Sequence, residues 1–265
     1  MKGIVLAFER RSLTTAAAWT LVALVLLFSS SCIRENTMLH FFPSPERAYA
    51  YGARHFNAAA PYYYDIDHAE AFFKESLQLN PLQPYAHHQL ARIAFLRGDF
   101  DNAMWNIDRE LEIHQNASPS SYYIRGLIEG YMGRYDDAAK DYEVFLRSHP
   151  SNWAAVNDYA WVLLKAKRYE DAASASAYGL SIFPDNPWLL NSYATASFEL
   201  HHYQEAYAAA QKANEEVQRV TEAEWLIAYP GNDPKIAREG IESFKKAVSD
   251  NMHTIVVALA SSTIQ

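Results

Sequence analysis

Two stretches of the chain decide its fold: GRYDDAAKDYEVFLRSHP at 133–150 and KRYEDAASASAYGLSIFP at 167–184. In both, a Tyr near the start is followed three residues later by an Ala, and a Pro closes the stretch. The two alanines, Ala138 and Ala172, are 34 residues apart. A fixed period of this length predicts a stack of similar units instead of one conventional core.

Three further stretches share the pattern, at 64–81, 98–115 and 201–218. The small residue recurs at spacings of 34, 35, 34 and 34, at Ala69, Ala103, Ala138, Ala172 and Ala206. A large apolar or aromatic residue lies three positions before each one, at Ile66, Phe100, Tyr135, Tyr169 and Tyr203. Prolines close three of the five stretches, at Pro81, Pro150 and Pro184.

A second helical run precedes four of these stretches and carries its own small residue, at Ala91, Gly126, Ala160 and Ala194. Two antiparallel helices approach closely only where no large side chain lies between them, so these positions predict the contacts within a helix pair. The turn between the two helices is expected at Gly98, Gly133, Lys167 and His201. The 41 Ala and only 9 Gly of the 265 residues also favour helices.

These residues resemble the tetratricopeptide repeat, a 34-residue helix–turn–helix unit. The resemblance implies an all-α, right-handed superhelical solenoid over residues 46–252, with five clear units and a degenerate sixth. The sixth unit contains REGIESFKKAVSDN, and its first helix is cut short by Pro230 and Gly231. Residues 253–265 are expected to form a C-terminal capping helix, whose apolar Ile255, Val256 and Val257 pack on the last repeat or on a second copy of the chain.

The first 32 residues have the features of a signal peptide or membrane anchor. Lys2, Arg10 and Arg11 precede a 16-residue apolar run at 13–28, and three serines lead to Cys32, the only cysteine. Three outcomes stay open: lipidation of Cys32 in a bacterial lipoprotein, an uncleaved transmembrane helix, and cleaved secretion. Each places the remainder of the chain outside the cytoplasm. Residues 33–45 are then expected to be a linker.

The composition and motifs argue against several classes of function. A net charge of −8 and a pI near 5.7 argue against nucleic-acid binding. No glycine-rich phosphate loop, GxSxG or HExxH motif occurs, so we expect no catalytic, cofactor or metal site. The acidic residues around Asp65, Asp67 and His68 recur in the same position of later repeats, which favours helix capping over metal binding.

The concave face of the array is the candidate binding site, because the first helix of each pair lines it. The repeat register places polar and aromatic side chains on this face, and the predicted partner-binding residues are His88, Arg92, Tyr123, Tyr131, Asn157, Trp161, Trp188 and Asn191. Asn amides both donate and accept hydrogen bonds, as the backbone of an extended peptide requires. Trp161 and Tyr131 have an alternative role, because they also suit packing between repeats.

These observations predict a non-enzymatic protein-interaction scaffold on the extracytoplasmic, periplasmic side of a membrane in the cell envelope. Its protein partner would bind in the concave groove as an extended segment or a helix. One alternative is a structural envelope-assembly lipoprotein, for instance in pilus biogenesis, that self-associates as a homodimer through its tail. An enzyme is a further alternative, and it would need a catalytic constellation that the sequence does not reveal.

Overall fold

A computed structural model of the chain describes residues 19, 20, 23, 31–57, 63–114 and 119–262. Most of the predicted signal or anchor segment, including most of its apolar run, lies outside these residues. None of the described helices is long and apolar enough to cross a membrane. The chain divides into two compact units, residues 1–86 and 87–265, which are described in turn.

Three helices build the first unit: α1 (Ser31–Phe41), α2 (Pro45–Phe56) and α3 (Ile66–Leu79). The prediction of a linker at 33–45 is wrong, because α1 occupies most of it. Glu35 and Leu39 of α1 are buried, and the Glu35 carboxylate lies 2.9 Å from Nε2 of His55 on α2. Residues with buried contacts of this kind belong to the folded unit.

The acidic cluster at the start of α3 caps that helix. Asp65 is the N-cap residue, and its carboxylate accepts a hydrogen bond from the backbone N–H of His68 at 3.0 Å. Asp99 accepts the equivalent bond from the N–H of Asn102 in the second unit. Side chains in these positions satisfy backbone donors that have no partner within the helix.

The second unit is a succession of paired helices. Its full-length helices are α4 (Ala86–Leu96, in this unit from residue 87), α5 (Phe100–His114), α6 (Pro119–Tyr131), α7 (Tyr135–Ser148), α8 (Trp153–Lys165), α9 (Tyr169–Ile182), α10 (Pro187–Glu199) and α11 (Tyr203–Glu216). A short helix, α12 (Glu222–Ala228), and a long one, α13 (Ala237–Ser262), complete it. The predicted all-α architecture of helix–turn–helix units is confirmed.

The predicted small positions are the points of closest helix contact. The side chains of all eight alanines in these positions are fully buried: Ala69, Ala91, Ala103, Ala138, Ala160, Ala172, Ala194 and Ala206. At Gly126 on α6, an added Cβ would lie 3.1 Å from the carbonyl oxygen of Ala138 on α7. Larger side chains would force the helices apart, at a cost of about 1–3 kcal/mol for overpacking.

The turn between the helices of a pair uses the same backbone conformation in four units. Its central residue has a positive φ: 74° at Gly98, 80° at Gly133, 61° at Lys167 and 62° at His201. Glycine adopts this left-handed conformation freely, whereas a residue with a Cβ is strained there by about 1 kcal/mol. Lys167 and His201 therefore occupy their turns because helix packing imposes the geometry.

The C-terminal segment folds back on the last full pair. The predicted capping helix does not begin at 253, because α13 runs without a break from Ala237 to Ser262. Ile255 of α13 is buried with Ala206 and Ala210 of α11, so the tail packs on its own chain. The neighbouring Val256 and Val257 stay 39% and 53% exposed.

Candidate partner-binding groove

The second unit contains a groove of about 470 Å³. Its wall is formed by α4, α6, α8 and α10, the first helices of successive pairs, as the repeat register predicts. The other wall comes from the C-terminal segment, including Trp225, Tyr229 and Phe244. The volume falls within the range of about 300–1,000 Å³ that is usual for ligand sites.

Seven of the eight predicted binding residues line this groove: Arg92, Tyr123, Tyr131, Asn157, Trp161, Trp188 and Asn191. His88 does not, and its assignment is corrected. Its side chain is buried between α4 and α6, where Nδ1 lies 3.0 Å from Oγ of Ser121. Burial and the positive charge of Arg92 lower the pKa of His88 to about 3, so its ring is neutral at physiological pH.

Aromatic rings form one end of the groove. The rings of Tyr131 and Trp161 are 5.4 Å apart, and Phe95 meets Tyr131 edge-on at 5.0 Å. Tyr131 is 57% exposed, whereas Trp161 is half-buried and packs over Gly130, where a Cβ would approach the indole to 2.8 Å. Trp161 thus packs between repeats and also lines the groove, so its two suggested roles coexist.

The opposite end is closed by the C-terminal segment. Trp188 is only 4% exposed, because its ring stacks on Phe244 at 4.8 Å and lies 5.0 Å from Trp153. Its indole N–H donates to the hydroxyl of Tyr229 at 3.4 Å. Trp188 therefore supports this wall more than it offers surface to a partner.

The two predicted asparagines already bind neighbouring side chains. Oδ1 of Asn157 accepts a hydrogen bond from Oγ of Ser192 at 2.9 Å, which joins α8 to α10. Oδ1 of Asn191 accepts from Nδ2 of Asn251 at 3.0 Å, which joins α10 to α13. Part of their hydrogen-bonding capacity therefore stabilises the groove itself.

Asp158 is the acidic residue among the described side chains that line the groove, and no sequence motif singles it out. Oδ2 of Asp158 accepts a hydrogen bond from the hydroxyl of Tyr123 at 2.7 Å. Burial raises the pKa of Asp158 to about 7, against the opposing effect of hydrogen bonds from Tyr123 and Asn157. The pKa of Tyr123 is in turn raised by burial and by the nearby carboxylate.

A second group of ionisable residues lies about half a turn round α6 from Tyr123. Arg125 holds Asp141 of α7 with two hydrogen bonds, 2.5 Å from Nε and 2.9 Å from Nη2. Glu129 lies one turn further along α6, and burial and the charge of Asp141 raise its pKa to about 7. Glu129 does not line the groove.

The described residues contain no group of three or more His, Cys, Asp or Glu side chains suited to a metal ion. Within the groove, Asp158 is accompanied by tyrosine, asparagine and tryptophan side chains. These groups suit the binding of a peptide, with aromatic surface for contact and polar atoms for orientation.

Residues 125–187 match the tetratricopeptide repeat family. No curated protein sequence matches the chain. Its fold is similar to solved structures of MamA: a double mutant of MamA RS-1 (15% identity, TM-score 0.57, 66% of this chain and 95% of that one) and MamA itself (17%, 0.56, 68% and 94%). It is also similar to YrrB, whose structure is described as a TPR protein with an unusual peptide-binding site (11%, 0.59, 70% and 93%). At these identities the similarity shows the fold, that of a tetratricopeptide-repeat solenoid.

Proposed function

We propose that the chain is a non-enzymatic scaffold that binds an extended segment or a helix of a protein partner in the groove of its second unit. The observation that carries this proposal is the aromatic wall formed by the exposed Tyr131 and the half-buried Trp161 beside a groove of about 470 Å³. Aromatic side chains supply much of the binding energy at protein interfaces. The peptide-binding site of YrrB, a protein of similar fold, supports the same interpretation.

A matched pair of tyrosine variants tests the groove. Tyr131 is 57% exposed in the groove, whereas Tyr178 is 48% exposed on α9 and does not line it. We expect Tyr131→Ala in the full chain to weaken binding of a degenerate decapeptide pool by about tenfold, a typical hot-spot loss. Tyr178→Ala should leave binding unchanged. Equal binding by both variants would show that peptides do not bind in this groove.

We also propose that the protein acts outside the cytoplasm, anchored to a membrane of the cell envelope through its N-terminal segment. The basic residues before the apolar run, and the serines before Cys32, support an exported lipoprotein. Mass spectrometry of the mature protein tests this proposal. Cleavage before Cys32 with added acyl mass is the expected result, whereas an intact Met1 indicates an uncleaved anchor.

Self-association through the tail is the second candidate function, and the exposure of Val256 and Val257 on α13 favours it. Truncating the chain before residue 253 would also remove the buried Ile255, so substitution is the cleaner test. If this function holds, the full chain is a dimer in light scattering, and a Val256→Glu, Val257→Glu double variant is a monomer. A monomeric wild-type chain would rule it out.

A further inference from the structure

Among the described residues, the partly buried Asp158 has no cationic partner, whereas the buried Asp141 of the same unit is paired with Arg125. In the described part of the chain, no Lys or Arg forms an ion pair with Asp158, whose partners are the hydroxyl of Tyr123 and the amide of Asn157. Arg92 also lines the groove, but its Nη1 donates to Oε1 of Gln89 at 2.9 Å. A carboxylate in a partly buried site is costly unless a cation compensates it.

The surroundings of Asp158 suit a cation that comes from outside. Trp161 follows Asp158 by three residues on α8, so both side chains lie on one face of the helix, about 5–6 Å apart at Cβ. A cation beside the carboxylate therefore lies within reach of the indole face, and of Tyr131 next to it. Aromatic faces attract cations over about 6 Å, Trp most strongly.

We propose that the groove binds a lysine side chain of the partner segment, with its ammonium group paired to Asp158 and packed against Trp161 and Tyr131. This inference rests on the proposed peptide-binding function and specifies the chemistry of the peptide. An ammonium group fits better than a guanidinium, because Oδ2 of Asp158 is already engaged by Tyr123. The fork of an arginine needs both carboxylate oxygens for bidentate pairing.

Three degenerate peptide pools that differ only at a fixed central residue test this proposal. The central residue is Lys, norleucine or Glu, and binding to the full chain is measured by fluorescence polarisation. Norleucine keeps the four-carbon apolar stem of lysine and lacks the ammonium group, so it isolates the contribution of the charge. We expect the wild-type chain to prefer the Lys pool over the norleucine pool by about tenfold, and to bind the Glu pool most weakly.

Two carboxylate variants show whether Asp158 provides this preference. Asp158→Asn should bind the Lys and norleucine pools equally, within about twofold, because no charge remains to pair with the ammonium. Glu129→Gln removes a different carboxyl group with a pKa of about 7 and should keep the tenfold preference, since Glu129 lies outside the groove. An unchanged preference in Asp158→Asn, or an equal loss in Glu129→Gln, overturns the proposal.

The pH dependence of the wild-type preference is an independent measurement that does not need a folded variant. The preference for lysine should strengthen as pH rises from 5.5 to 8.5, because the Asp158 carboxyl ionises in this range. The other ionisable groups facing it keep their charge: Tyr123 on α6, Tyr142 on α7 and Tyr229 beyond α12 stay neutral, Arg92 on α4 stays positive, and Tyr131 also has a raised pKa. A preference that is constant over this range overturns the proposal.

The outcomes separate this inference from the function on which it rests. If all three pools bind equally to the wild type and Tyr131→Ala weakens all of them, the groove binds peptides but does not select lysine. If Tyr131→Ala changes binding of no pool, the peptide-binding function itself fails. A preference for the Glu pool would show that Arg92 sets the charge selectivity instead of Asp158.

Discussion

Two aspartates on successive helices of the second unit have opposite surroundings. Asp141 on α7 is buried and held by two hydrogen bonds from Arg125, whereas Asp158 on α8 faces the groove and accepts bonds from uncharged side chains. Removing charges from water is costly, and a neighbouring opposite charge offsets that cost. The difference indicates that Asp141 stabilises the helix pair. Asp158, which has no cationic partner among the described residues, is available to pair with a cation of the proposed ligand.

Breaking the ion pair between Arg125 and Asp141 should have the largest effect on stability. Arg125→Met keeps most of the apolar side chain but leaves Asp141 buried without its cation, beside Glu129, which already has a raised pKa. We expect the free energy of unfolding to fall by about 3 kcal/mol in urea denaturation.

The double variant Arg125→Met, Asp141→Leu removes both charges and should recover most of this loss, because no uncompensated carboxylate remains. If the double variant is as unstable as Arg125→Met alone, the loss arises from packing of the arginine stem and not from the unpaired charge.

Asp158 should make the stability of the protein depend on pH. The pKa of Asp158 is about 7 in the folded protein, above its value in the unfolded chain, so folding takes up protons between about pH 4 and 7. The free energy of unfolding that this group contributes therefore falls as pH rises through this window. A rise in pKa from 3.8 to about 7 corresponds to about 4 kcal/mol for a fully buried group. Because the Asp158 side chain is only partly buried, solvent screening reduces this effect, and we expect a loss of about 2 kcal/mol, which Asp158→Asn should abolish.

Glu129→Gln is the control for that measurement, because Glu129 also has a pKa raised to about 7. This variant should flatten the same slope without changing peptide selectivity, which separates a stability effect from a binding effect. Stability curves of wild type and Asp158→Asn that remain parallel from pH 4 to 8 would contradict the raised pKa of Asp158.

Tyr142 lies between the two aspartates and should give the smallest of these effects. Its side chain is fully buried, and its hydroxyl has no hydrogen-bond partner among the described residues. The neighbouring Tyr123, whose ring is 5.6 Å away, donates to Asp158 instead. We expect Tyr142→Phe to raise the free energy of unfolding by about 1 kcal/mol, because an unsatisfied polar group is removed.

Tyr123→Phe is the matched control, since it removes a hydroxyl that has a partner, and it should lower stability by about 1 kcal/mol. Thermal denaturation of both variants at pH 7 distinguishes them by the sign of the change. A loss of stability in Tyr142→Phe equal to that of Tyr123→Phe would show that the Tyr142 hydroxyl is also satisfied.

The periodic part of the fold was predictable from the sequence. Small residues such as Ala138 and Ala172 recur because each helix pair needs the same close contact, so the spacing alone locates the helices. In all five units the second helix begins at the large residue three positions before the recurring alanine, at Ile66, Phe100, Tyr135, Tyr169 and Tyr203. The linker at 33–45 was missed because α1 belongs to no repeat and its burial depends on contacts with α2.

The candidate groove was predictable on the side that the repeats build. Register predicted that Tyr123, Asn157 and Asn191 lie on the wall of the groove, where the structure places them. The His88 side chain is instead buried, because Ser121 on α6 offers it a hydrogen-bond partner. Trp225, Tyr229 and Phe244 were missed, because their position depends on how the degenerate last unit folds back. The sequence contained one indication of Asp158: it lies three residues before Trp161, which was predicted to face the groove. Its partial burial could not be predicted, because it depends on the tertiary structure.

The left-handed turns at Lys167 and His201 are positions at which the protein can be made more stable. At Lys167 and His201 the torsion strain of about 1 kcal/mol each is partly balanced by the smaller entropy that these residues have in the unfolded chain, compared with glycine. Replacing both by glycine should yield a net gain of about 1 kcal/mol, or roughly 2–4 °C in the midpoint of thermal unfolding. Neither residue lines the groove, so the two glycine substitutions can be used to stabilise groove variants that would otherwise be only marginally folded.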